Sequence, residues 1–153
     1  MTLFQVLLLI HILAVVVWLG GAFVALLIGG SLRRSGNTPA MAAYCAALAH
    51  LGGPVFGGSS LITLVTGIWM VGEGYPDWSM LWVNLGFGLW LVSTVMGAAF
   101  VGRSWHAVGI ALAEPGASID SQQPMIGRAV VLSWIDLAIR TLVVVVMVWR
   151  PVA

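Results

Sequence analysis

Residues Leu3–Gly30 read LFQVLLLIHILAVVVWLGGAFVALLIGG, with His11 as the one ionisable side chain in the run. A helix rises about 1.5 Å per residue, and about 20 apolar residues cross a hydrocarbon core of about 30 Å. This stretch therefore reads as a membrane-spanning helix. Arg33-Arg34 follow it and mark its end.

The pattern recurs along the chain. Residues 35–72 and 78–102 carry no charge either. Of the 153 residues, 61% are hydrophobic and 7% are charged, against roughly 25% charged in a soluble domain. A soluble fold of this size leaves too much of its chain exposed to hide that apolar surface. The chain is an all-α polytopic membrane protein. Its net charge of +1, with no lysine, leaves no basic footprint for nucleic acid. The single cysteine, Cys45, allows no intrachain disulfide.

Four spans are expected in one transmembrane domain, at about 3–30, 52–72, 78–101 and 124–149. Residues 39–51 form an interfacial extension of the second helix. Gly36, Asn37 and Pro39 break the chain, with Thr38 as the expected N-cap and Pro39 in the first turn. Gly52-Gly53-Pro54 is the expected kink. Asp77 is the expected N-cap of the third span, which can continue past Arg103 to Ala113, where Glu114-Pro115-Gly116 stops it. Short loops make consecutive spans antiparallel neighbours, giving an up-down four-helix transmembrane bundle. Arg33, Arg34, Arg103 and Arg128 flank one side, and Glu73 and Asp77 the other. The positive-inside rule then puts both termini outside, as expected for a bacterial cytoplasmic (inner) membrane protein; Arg150 opposes this assignment.

Ionisable groups inside a bilayer are costly and mark candidate sites. Asp136 and Arg140, four apart in the last span, share a helix face and form an intramembrane ion pair. Ala129, Ser133, Asp136 and Arg140 make one stripe facing the bundle. The pair either locks the helix in place or offers Arg140 to an anionic group of a cofactor. Counted from the helix ends, His11 lies at a depth similar to that of Arg140, with Trp18 seven residues on. His11 is a candidate metal or haem ligand, a proton carrier, or a structural hydrogen-bonding group. His50 and His106 fall together near the arginine-bearing boundary on neighbouring helices. They form a second candidate ligand pair for haem iron, or two ordinary interfacial histidines. Seven methionines admit Cu(I) as well as plain packing.

The stretch His11–Gly21, HILAVVVWLGG, resembles the opening helix of a family of small bacterial four-span integral membrane proteins of unknown function. The resemblance continues at Leu64–Trp69, LVTGIW, at Asp136, and at Met147–Pro151, MVWRP. A similar His…Trp-x-Gly/Ala-Gly helix occurs in copper-resistance D-type membrane proteins and in HemJ-type protoporphyrinogen oxidases, which bind haem b. That likeness implies a haem- or copper-linked role centred on His11. The oxidase uses an intramembrane lysine, and this chain has none, which disfavours that activity. Three functions stay open: a haem-b-binding, redox-linked membrane protein; a non-catalytic accessory subunit, with other membrane subunits or a second copy as partner; and passage of copper or another small solute.

Overall fold

The computed structural model describes residues 2–74 and 76–151. Four helices are long and apolar enough to cross a membrane: α1 Leu3–Ser35, α2 Thr38–Gly72, α3 Leu81–Ala113 and α4 Gln123–Trp149. The described residues contain no strand. The all-helical, four-span reading holds, and the first three helices are longer than the spans read from composition.

Local chemistry explains the ends. The Thr2 hydroxyl accepts from the backbone of Gln5, whose side chain returns the bond. Gly36 ends α1 at φ 67°, a left-handed conformation natural to glycine. Asn37, not Thr38, caps α2 by accepting from Ala40 N at 3.0 Å. An amide oxygen satisfies a first-turn donor, which frees the Thr38 hydroxyl to accept from Ile119 N at 3.2 Å. Asp77 does not cap α3 either. It closes a turn on Ser79, and α3 starts later, after Met80.

The helices pack antiparallel and change partner along their length. The first half of α1 lies on the last half of α2, and the first half of α3 lies on α4. Toward the arginine-bearing end, α2 packs on α3 and α1 on α4. Each end holds an apolar cluster. One contains Met41, Cys45, Trp105, Val108, Leu112, Ile119, Ile126 and Ala129. The other contains Val71, Trp82, Val83 and Val146. The buried polar groups, Ser59, Ser60, Thr63, Thr66, Ser93, Asp136 and Arg140, lie between them along the chain. Large apolar side chains such as Val16, Leu61, Val131 and Val148 point outward, as a helix facing lipid requires.

Three of the four helices contain a π-helical segment: Val16–Gly20 in α1, Gly52–Gly57 in α2 and Met96–Val101 in α3. The expected kink at Gly52-Gly53-Pro54 is one of these, and α2 continues through it. A π turn inserts a residue into the hydrogen-bond ladder and re-aims the side chains beyond it.

Candidate functional site

A cavity of about 490 Å³ opens between the four helices. All three π segments border it, through Trp18, through Gly52, Gly53, Phe56 and Gly57, and through Gly97, Ala98 and Val101. Asp136 and Arg140 line it from α4, and Arg103 and His106 from α3. Glycine and alanine at the wall keep helix backbones close to the space.

The ion pair is built by one helix and held by two others. Arg140 Nε donates to Asp136 Oδ2 at 2.9 Å, and Nη2 lies 2.6 Å from the same oxygen. Ser93 of α3 donates to Asp136 Oδ1 at 2.6 Å. Arg140 Nη1 donates to the Trp18 carbonyl of α1 at 2.7 Å, and the guanidinium lies 4.8 Å from the indole centroid. A guanidinium has five N–H groups. These contacts leave one N–H on each terminal nitrogen. Both side chains are buried. Gly97 makes room for them, since a Cβ there would lie 3.2 Å from Arg140 Nη2.

Further hydrogen bonds tie the cavity walls. Trp105 Nε1 donates to Ser133 Oγ at 3.0 Å. Trp90 Nε1 donates to Ser60 Oγ, also at 3.0 Å, and the Ser60 hydroxyl lies 3.1 Å from that of Thr94. Tyr44 donates to the Ala25 carbonyl at 2.7 Å, joining α2 to α1.

His11 Nδ1 lies 2.9 Å from Thr66 Oγ1 of α2. The Thr66 hydroxyl donates to the Ile62 carbonyl, so the imidazole Nδ1 is the donor to Thr66. Arg140 meets Trp18 instead of His11. Helical side chains lean toward their own N-terminus, so on antiparallel helices Arg140 reaches one way and Trp18 the other. Residue counting from the helix ends ignored that lean. His106 and His50 are both exposed; His106 is on the cavity wall, and His50, on α2, does not line the cavity. No cluster of three His, Cys, Asp or Glu side chains suited to a metal occurs among the described residues. Of the methionines, Met41 and Met70 are packed in the interior.

Sequence reasoning marked Asp136, Arg140 and Trp18, and Gly97 among the glycines inside the spans, and missed Ser93. The signal for Ser93 was a hydroxyl in an uncharged span.

The family model described as "Predicted integral membrane protein (DUF2269)" matches residues 5–151. No curated protein and no solved structure matches the chain.

Proposed function

Because the chain belongs to the DUF2269 family of predicted integral membrane proteins, we propose that its central cavity holds a planar cofactor bearing carboxylates, of the haem b type, within the bilayer. The observation that carries this reading is the convergence of three π segments on one cavity beside a buried arginine. π turns are frequent at functional sites. The residues present suit such a group. The walls combine glycine with the aromatic faces of Trp18, Phe56, Tyr44 and Trp105. Arg140 keeps N–H groups for a propionate, and Arg103 adds a second cation. His106 is the one imidazole lining the cavity, and it is the residue we assign as axial ligand. Haem would supply one-electron transfer. The chain supplies binding, charge neutralisation and exclusion of water.

In this reading the protein sits in the bacterial cytoplasmic membrane with both termini outside, on the arginine asymmetry of the helix ends. The test is a reduced-minus-oxidised visible spectrum of the purified full chain, expressed with haem supplementation. A Soret band in wild type and in His11→Ala, lost in His106→Ala, is the expected result. A wild-type protein with no Soret band overturns the proposal. A band lost in His11→Ala and kept in His106→Ala overturns the placement in the central cavity.

A further inference from the structure

A second cavity, about 440 Å³, lies between the C-terminal part of α1 and the N-terminal part of α4, with Leu26 as a wall it shares with the central one. Its composition is graded. Arg33, Arg34 and Gln123 line one end, and Leu26, Leu27, Val130 and Trp134 line the rest. Seven residues separate Leu26 from Arg33, about 10 Å along a helix at 1.5 Å per residue. The groove therefore presents cations at the helix ends and an apolar track running toward the middle of the span.

The basic end is prearranged. Arg33 Nε donates to Gln123 Oε1 at 2.8 Å, which fixes that guanidinium across the two helices. Its terminal nitrogens lie over Gly127, where a Cβ would come within 3.9 Å of Nη2. Arg34 folds back toward Gly30, where a Cβ would lie 3.6 Å from Nη1. Neither arginine is paired with a carboxylate; among the described residues the ion pair found is Asp136–Arg140. The N-terminal end of α4, at Gln123, adds its partial positive charge to the same place. Two unneutralised guanidinium groups, one braced, with an apolar groove leading away, match an anion joined to a hydrocarbon chain.

We propose that this groove binds one anionic phospholipid, with the headgroup phosphate on Arg33 and Arg34 and an acyl chain along Leu26, Leu27, Val130 and Trp134. Basic pockets between spans are suited to acidic headgroups, and arginine matches phosphate oxygens in a two-point geometry. The site does not depend on what the central cavity holds.

The test is native mass spectrometry of the purified full chain in neutral detergent. Phosphatidylglycerol, phosphatidylcholine and inorganic phosphate are the titrants. Wild type is expected to retain phosphatidylglycerol in preference to phosphatidylcholine. Arg33→Gln/Arg34→Gln is expected to lose about thirtyfold in apparent affinity, the effect of two arginines on one acidic lipid. Arg128→Gln, which removes an exposed arginine outside the groove, is expected to bind as wild type. Trp134→Ala, with both arginines kept, is expected to shorten lipid retention. Equal phosphatidylglycerol binding by wild type and the double arginine variant overturns the proposal. So does displacement of the lipid by inorganic phosphate at equal concentration, which would make the ligand a soluble anion.

Discussion

Arg140 donates from Nη1 to the main-chain carbonyl of Trp18 at 2.7 Å, and its guanidinium lies over the indole of the same residue. The contact joins residues 122 apart in the chain. It lets α4 hold the π segment of α1 by both its backbone and its ring. A guanidinium is suited to this because it is planar, weakly hydrated and able to stack and donate together.

Breaking the pair from one side strands a charge. Asp136→Ala leaves Arg140 buried without its carboxylate and is expected to destabilise by about 3–5 kcal/mol. The double change Asp136→Leu/Arg140→Met removes both charges and keeps most of the volume. It is expected to cost clearly less, because no buried charge is left unpaired. Thermal melts in detergent distinguish the two. Equal losses would show that the hydrogen bonds to Trp18 and Ser93 matter more than the charge balance.

Glycines in these helices differ in what a methyl group would meet. At Gly109 a Cβ would lie 2.9 Å from Cys45 Cβ. Neither atom can rotate away, so α2 and α3 must separate. Gly109→Ala is expected to cost about 1–3 kcal/mol by overpacking. Gly88 meets nothing within 4 Å. Gly88→Ala is expected to be neutral, or to stabilise by up to about 1 kcal/mol through helix propensity. Gly97→Ala should weaken the protein through Arg140, and that penalty should shrink in an Arg140→Met background. A double-mutant cycle of melting temperatures measures this coupling.

These cases separate what was legible in the sequence from what was not. The spans were legible because charge is excluded from hydrocarbon, so gaps between charges outline helices. The Asp136–Arg140 pair was legible because four residues return a helix to the same face. The irregularity at Gly52-Gly53-Pro54 was visible through proline. The π segments at Val16–Gly20 and Met96–Val101 had no such marker. An inserted residue in a helix follows from tertiary packing more than from local propensity. The Trp18 and Ser93 contacts arise from helix rotation, which composition does not specify. Asp77 was misplaced as a helix cap because an Asx turn and an N-cap use the same residue types.

The Asp77 carboxyl is held below the ordinary aspartate value by hydrogen bonds from the hydroxyl and backbone of Ser79. A folded-state value below the unfolded one means that the ionised form favours folding. The contribution is fully present above the unfolded value of about 3.9 and is lost as pH falls through the folded value. Wild type is therefore expected to lose a little melting temperature in that acid range. Asp77→Asn should lack that component and match wild type only at the acid end. Superimposable pH profiles for the two proteins would remove Asp77 from the acid response.

Ser93 and Ser133 both accept or donate across helices inside the bilayer, yet they should not be equivalent. Ser93 donates to a buried carboxylate at 2.6 Å, and hydrogen bonds to charged groups contribute about 1.5–3 kcal/mol. Removing it also leaves Asp136 Oδ1 without that donor in a place water does not readily reach. Ser133 accepts from Trp105 Nε1 at 3.0 Å and gives its own proton to the Ala129 carbonyl one turn back. That is a neutral interhelical bond, of the kind that averages about 0.6 kcal/mol in membranes. Ser93→Ala is thus expected to lower stability by roughly 2.5 to 5 times as much as Ser133→Ala. The Ser93→Ala penalty should largely vanish in the Asp136→Leu/Arg140→Met background, whereas that of Ser133→Ala should persist. If Ser93→Ala costs the same in both backgrounds, its role is packing against α4 and the charge-assisted bond contributes nothing.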